Sequence, residues 1–383
     1  MSKKKVAILI YSLGSGGAER VVSILLNELK DVFDIHLVLM NDTIDYDIPK
    51  DTKIYYLERS IPEEKGILKL SKLFFLALKY ANFCKKHNIK TTLSFMNRPN
   101  YINILSKFFG NRSKTVINER AMPSLQYGYN NVQSRINQRL IRWLYPLSDF
   151  ILSNSIGNSL DLKENFGIDK EIKTIYNPID IQKTIYLSKL DVDFDFSLFT
   201  FITVGRLDEG KNHKLLIDAF KNLQDINTQL VIIGDGLLRD FLSEYIIQEN
   251  LQNRVFLVGQ QKNPYAWLEK SNCFLFGSNH EGFPNVLLEA LSCKLPIIST
   301  DCKSGPREIL CLSDDLNQTL DKIEFCEYGI LVPIKNVEFM SEAMKIVLND
   351  FSIRQTYIEK AQNGVKRFEK SSIVKEFELI LRD

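Results

Sequence analysis

The sequence predicts an α/β chain built as two doubly wound domains, and three observations lead there. Two apolar runs, Val6-Ala-Ile-Leu-Ile-Tyr11 and Phe201-Ile-Thr-Val-Gly205, each run into a glycine-containing turn and then a helical pattern, the unit that opens a doubly wound parallel sheet. Strand and helix patterns keep alternating behind both runs, the layout of a sheet covered by helices. With 383 residues, 45% of them hydrophobic, the chain exceeds one typical domain and can fill two cores. Asn177-Pro178 forces an extended turn within Tyr176-Asn-Pro-Ile-Asp180, so the domains are placed at 1–180 and 195–368, joined by a polar linker that runs to Ser197.

The net charge of +2 conceals an asymmetry. Between residues 61 and 150, fifteen Lys/Arg stand against four Asp/Glu, which leaves the rest of the chain acidic by nine charges. The N-terminal half is the one that meets anions, and no nucleic-acid partner is expected. The six cysteines (Cys84, Cys273, Cys293, Cys302, Cys311, Cys326) contain no Cys-x-x-Cys pair, which reads as a reduced, cytosolic chain. Met-Ser-Lys-Lys-Lys leads straight into the first strand without a signal-like apolar region, and no apolar run approaches the roughly 20 residues that span a bilayer.

In the first half, Ser12-Leu-Gly-Ser-Gly-Gly17 separates the first strand from the helical pattern Ala18 to Lys30. Its glycines let backbone amides approach a phosphate or sugar, with Gly16 and Gly17 at the helix start; the same turn also serves tight packing in most doubly wound sheets. Strands follow at about 34–40 and 53–57. From Gly66 to Lys90, Ile67, Leu68, Leu70, Leu73, Phe74, Phe75 and Leu78 recur at helical spacing, with Lys65, Lys69, Lys72, Lys79, Lys85 and Lys86 filling much of the remainder. Arg135 to Tyr145 repeats the pattern, with Arg135, Arg139 and Arg142 beside Ile136, Leu140, Ile141, Trp143 and Leu144. Two readings stay open: surface helices packed on a sheet, or a basic amphipathic face lying on anionic lipid. Asn118-Glu119-Arg120 follows the strand Lys114 to Ile117, where open α/β sheets place ligand groups.

In the second half, Asp191, Asp193 and Asp195 are spaced like a metal-binding pair of carboxylates. They precede a strand rather than end one, so a solvated linker is expected, and the scattered histidines offer no ligand spacing. After Gly205, Arg206 and Lys211 flank the entrance to a helix through Phe220, two cations that match a diphosphate. Leu230 to Ile233 leads into a second glycine turn, Gly234-Asp-Gly236, before a helix carrying Arg239. Ser278-Asn-His-Glu281-Gly282-Phe283-Pro284-Asn285-Val286 then reads as a strand end, a turn and a helix opening on Pro284. Glu281 works from the loop and Glu289 from the helix, with the amides of Asn285 and Val286 at the helix's positive end as a phosphate site between them.

Glu281-x7-Glu289, together with Gly16-Gly17, Arg206 and Lys211 in that order, resembles the retaining family 4 glycosyltransferases, and the resemblance covers nearly the whole chain. It implies the GT-B fold, two Rossmann-like domains facing a cleft, with a last helix at about 371–383 returning to the first domain. It also implies roles. Arg206, Lys211 and Glu281 are the catalytic candidates: the first two hold the diphosphate of a UDP-sugar, and Glu281 holds the donor sugar. Glu289 takes the ribose hydroxyls; Gly16, Gly17, Gly234, Gly282, Phe283, Asn285 and Val286 line the donor; no metal or cofactor is required. Glu119 and Arg120 are possible sugar or acceptor contacts, Arg120 standing where many relatives carry a histidine. More narrowly, Tyr11 to Val22, Asn97-Arg-Pro-Asn-Tyr101 and Gly205 to His213 resemble the bacterial α-1,4-N-acetylgalactosaminyltransferases that extend an undecaprenyl-diphosphate-linked oligosaccharide for protein N-glycosylation. That implies a lipid-linked saccharide acceptor and a peripheral place on the cytoplasmic face of the bacterial inner membrane. Similar enzymes assemble capsule or O-antigen repeats, and epimerases or phosphorylases share the fold.

Overall fold

A computed structural model describes residues 3–14, 16–59, 66–312, 316 and 320–383; Met1, Ser2, Ser15 and Lys65 of the stretches read above lie outside these, as does the Ile67 side chain. The chain divides into two compact units, Met1–Pro178 with Lys370–Asp383, and Ile179–Glu369.

The first unit is built on β1 (Lys4–Ile10), β2 (Phe33–Leu39), β3 (Lys53–Tyr56), β4 (Thr91–Phe95), β5 (Lys114–Glu119), β6 (Phe150–Ser153) and β7 (Ile172–Thr174). They pair in parallel in the order β3-β2-β1-β4-β5-β6-β7. β1 shows why its sequence is continuously apolar: Ala7 and Leu9 pack into a core on one face, while Val6, Ile8 and Ile10 pack into a core on the other. The second core also takes Ile373, Val374, Phe377, Ile380 and Leu381 from the closing helix Lys370–Arg382, which belongs to this unit. Lys370 pairs with Glu28 at 2.8 Å along the helix Gly17–Leu29.

The second unit repeats the design with β8 (Phe199–Val204), β9 (Thr228–Ile233), β10 (Val255–Gly259), β11 (Cys273–Phe276), β12 (Ile297–Thr300), β13 (Glu324–Phe325) and β14 (Ile330–Val332), ordered β10-β9-β8-β11-β12-β14-β13. All neighbours are parallel except β13 against β14. Strand order therefore reverses between β1 and β4 in one sheet and between β8 and β11 in the other. In open α/β sheets ligands sit beyond the carboxyl ends of the strands at such reversals.

The structure departs from the sequence reading at several points. The stretch Gly66 to Lys90 is two helices, Gly66–Ser71 and Leu73–His87, the second closed by Asn88 at φ 54° before β4 begins at Thr91. Arg135 to Tyr145 lies in the longer helix Val132–Leu144, which Asn131 caps by accepting from the Ser134 amide. β5 runs two residues beyond Ile117, through Asn118 and Glu119. Pro284 precedes the helix Asn285–Ser292 as its N-cap. The cysteines are not all reduced: Cys311 and Cys326 form a disulfide, because β13 folds back on β14 and brings Cys326 beside the end of the helix Pro306–Leu310, whereas Cys84, Cys273, Cys293 and Cys302 are buried thiols. Among the described residues no helix is long and apolar enough to cross a membrane.

Candidate functional site

At the second sheet's reversal, the turns after β8, β9 and β11 are laced into one platform. Gly205 and Leu207 donate to the carbonyls of Ile233 and Asp235, at 2.9 and 3.0 Å, and Leu238 donates back to Leu207 at 2.9 Å. Asn279 joins from the third turn, its amide donating to Gly210 at 2.8 Å and its side chain to Glu209 at 2.9 Å. Gly234 is demanded here: its φ is 143°, and a Cβ would lie 1.9 Å from the Gly205 carbonyl oxygen. His213 fixes the platform from beneath. Burial pushes its pKa down to about 4, so the ring is neutral and Nε2 donates to the Arg206 carbonyl at 3.2 Å.

On this platform the sequence-predicted charges meet. Lys211 Nζ lies 2.5 Å from Glu281 Oε1 and 5.5 Å from the Phe276 ring centre, so a carboxylate and an aromatic face aim one ammonium. Arg206 stands at the end of β8 with its side chain 82% exposed, Nε 3.5 Å from Asp208 Oδ2. Gly282 accepts from Ser304 Oγ at 2.5 Å, and Phe283 is buried edge-on against Phe368, ring centres 5.5 Å apart. Asn285 and Val286 form the first turn at the positive end of their helix's dipole, with Glu289 buried one turn on. Glu281 and Glu289 thus keep their loop and helix placements. The acidic linker holds no such constellation: Asp191 is exposed 3.5 Å from Lys270, and Asp195 accepts from the Ser197 amide at 2.8 Å.

The first sheet's reversal is built differently. Gly16 caps the helix Gly17–Leu29, and the Glu19 carboxylate folds over it, so closely that a Cβ on Gly16 would lie 2.2 Å from Oε2. Tyr46 holds the turn by donating to the Gly16 carbonyl at 3.0 Å. At the end of β5, Arg120 is buried over Phe95, 5.6 Å from the ring centre, and donates to Asn177 Oδ1 at 2.5 Å. Burial lowers its pKa to about 9, which still leaves it charged at neutral pH. Glu119 corrects the expectation of a direct ligand contact: it is completely buried, its carboxylate engaged by Tyr145, Asn97 and two backbone amides. Sequence reasoning assigned no role to Asn97 and Tyr145, which stand 22 and 26 residues from Glu119; only the Asn97-x-x-Asn100 spacing on one helix face hinted at a buried polar row.

The basic stretches of the first unit carry exposed aromatic side chains. Phe74 (66%), Phe75 (67%), Phe108 (68%) and Trp143 (70%) face solvent. The helix Leu73–His87 packs beside the turn Lys107–Phe109, and Lys107 ties that turn to the Leu147 carbonyl at 3.1 Å, so the exposed rings stand on neighbouring elements. Not every lysine there serves the surface: Lys79 donates to the Leu57 carbonyl, and Lys69 lies 5.4 Å from the Tyr11 ring centre.

Residues 194–364 match the family described as glycosyl transferases group 1. The chain is similar, 44% identical over 97% of its length and 98% of the relative's, to the N-acetylgalactosamine-N,N'-diacetylbacillosaminyl-diphospho-undecaprenol 4-alpha-N-acetylgalactosaminyltransferase of Campylobacter jejuni. A second Campylobacter jejuni relative, GalNAc-alpha-(1->4)-GalNAc-alpha-(1->3)-diNAcBac-PP-undecaprenol alpha-1,4-N-acetyl-D-galactosaminyltransferase, is 27% identical over 97% of both chains. In fold the chain is similar to Anabaena Alr3699/HepE, solved in complex with UDP, with a TM-score of 0.78, 19% identity and 99% of both chains covered.

Proposed function

Because the chain belongs to the group 1 glycosyltransferases, with two parallel-sheet α/β domains and the GT-B fold, we propose that it transfers N-acetylgalactosamine from UDP to an undecaprenyl-diphosphate-linked saccharide, with retention at the anomeric carbon. The chemistry rests on one observation, the Lys211–Glu281 pair beside exposed Arg206 at the second sheet's reversal. As the bond from the anomeric carbon to the β-phosphate oxygen breaks, negative charge grows on UDP. Arg206 and Lys211 answer it, and the dipole of the helix Asn285–Ser292 adds to them, so no metal is needed for that task. Glu281 orients Lys211 and accepts from sugar hydroxyls, and Glu289 accepts from the ribose.

The choice of sugar and acceptor is supported by the Campylobacter relative, whose name pairs N-acetylgalactosamine transfer with a diphospho-undecaprenol-linked saccharide. The acceptor is assigned to the first unit's reversal, where Arg120 brings a cation at the end of β5. The basic stretches of that unit, with their exposed aromatic side chains, would rest on anionic lipid at the cytoplasmic face of the membrane, delivering the lipid-linked substrate. Release of UDP across a panel of UDP-sugars, with short lipid-linked saccharides as acceptors and excess chelator in parallel, tests the reading. UDP-N-acetylgalactosamine should be used at least tenfold better than other donors, and chelator should change nothing; preference for another donor, or loss restored by manganese, would overturn the respective part.

A further inference from the structure

The end of β5 holds a fully buried carboxylate whose hydrogen-bond partners are all donors. Glu119 Oε1 accepts from the amides of Arg120 at 2.9 Å and Ala121 at 3.3 Å, and Oε2 accepts from the Tyr145 hydroxyl at 2.6 Å and Asn97 Nδ2 at 3.2 Å. Asn97 and Asn100 approach the Tyr145 oxygen at 3.4 and 3.3 Å, which turns its proton toward Glu119. An ionised carboxylate can accept from all four donors at once, whereas a proton on Oε2 must displace one of them.

What Glu119 grips lies at the ligand side of the sheet. Asn97 follows Met96, whose φ of 72° and ψ of 163° put a methionine where glycine alone sits without strain, at the end of β4 beside the strand-order reversal. Such strain persists only where the surroundings over-determine it, and the Asn97 bond to Glu119 is one such constraint. On the other side, Glu119 takes the amides of the turn that carries Arg120, and the Arg120 Nε, buried, has no partner among the described residues.

We infer that Glu119 is a positioning residue: its ionised carboxylate holds the Met96–Asn97 turn and the Arg120 turn in the arrangement that receives the acceptor, and its protonation releases them. This rests on the acceptor assignment above. Burial pushes Glu119 up to about 7, against the pull of Tyr145 and the amides of Arg120 and Ala121, and Asp161 adds to the rise. The other groups facing it do not titrate in the same window. Burial pushes Tyr101, Tyr127 and Tyr145 far above their ordinary range, and Arg120, lowered to about 9, stays charged. Loss of the ionised form as pH falls through 7 therefore converts the site to the released state.

The test is the pH dependence of acceptor KM between pH 5.5 and 8.5, with UDP affinity and unfolding midpoint measured alongside. In the wild type, KM should rise about tenfold from pH 8 to pH 6, the scale of one lost hydrogen bond to a charged group, while UDP affinity stays level. Glu119→Gln should show the high KM at every pH. Tyr145→Phe removes a donor to the ionised form, so its rise in KM should begin at higher pH than in the wild type. A Glu119→Gln enzyme that keeps the wild-type pH profile, or a Tyr145→Phe profile that does not move, overturns the inference. Arg120→Ala separates this from failure of the underlying assignment: unchanged acceptor KM there would remove the acceptor from this edge, whatever Glu119 does.

Discussion

At the second sheet's reversal Arg206 faces solvent with its side chain 82% exposed, while Lys211, 21% exposed, is paired to Glu281 at 2.5 Å. At the first sheet's reversal the comparable charges, Glu119 and Arg120, are buried among Asn97, Asn118, Tyr145 and Asn177. The topology is the same, and the difference lies in what each edge is equipped to do. In the proposed reaction one edge offers two accessible cations to a diphosphate whose charge grows as the sugar leaves. The other holds a rigid polar lattice whose geometry depends on every member being satisfied. Electrostatic stabilisation tolerates an exposed side chain that can follow the ligand; positioning does not.

The comparison breaks first at the cations. Arg206→Ala and Lys211→Ala should each fold normally and lose turnover by roughly two to three orders of magnitude, the usual scale for removing one electrostatic stabiliser. Steady-state rates with saturating donor check this, and near wild-type turnover in either variant removes that residue from the chemistry.

The glycines sharpen it next. Gly234→Ala would put a Cβ 1.9 Å from the backbone of Gly205 at φ 143°, and neither the oxygen nor the dihedral can yield without opening the platform. Destabilisation of about 3 kcal/mol or more is expected, read as a shift of the denaturant midpoint. Gly16→Ala meets an obstacle as close, 2.2 Å, but it is the end of the Glu19 side chain, and Gly16 has an ordinary φ of −97°. Its stability should stay within about 1 kcal/mol of the wild type while turnover falls, if the helix start receives a phosphate. Unchanged turnover would reduce that turn to packing.

The same contrast explains what could be read from the amino-acid sequence. Arg206, Lys211 and Glu281 sit in short turns next to strands with obvious apolar patterns, and Glu289 in the helix that follows one of those turns, so their chemistry and their placement are both local. Glu119 is adjacent to Arg120 in sequence, but its role is set by Asn97 and Tyr145, which the sheet and two helices bring to it. The helix Asn97–Ser106 is buried nearly all round and carries Asn97, Asn100 and Asn103 inward, so no apolar stripe marks it. Cys311 and Cys326 meet only because β13, a two-residue strand without a pattern of its own, folds back on β14.

The basic, aromatic-bearing surface of the first unit is the remaining region where two physical causes can be separated, and here the expected effect is smallest per residue. Lys85 and Lys86 close the helix that displays Phe74 and Phe75, so charge and apolar surface lie along one element. Each surface cation adds about 1 kcal/mol of attraction to an anionic membrane, and that attraction is screened within a Debye length. Burying an aromatic side chain in the interface adds an apolar contribution that salt does not weaken. Lys85→Glu with Lys86→Glu should therefore abolish vesicle binding at low salt and make little difference at high salt, where the wild type also binds weakly. Phe74→Ser with Phe75→Ser should weaken binding by a similar factor at both. Cosedimentation with vesicles of phosphatidylglycerol and phosphatidylethanolamine at two salt concentrations measures the first part, and turnover on long-chain against short soluble acceptors measures its consequence. The long-chain acceptor alone must be drawn from a bilayer, so losses confined to it would tie these residues to substrate delivery. Equal losses on both acceptors, or no vesicle binding at low salt, would mean that these helices serve the sheet they cover.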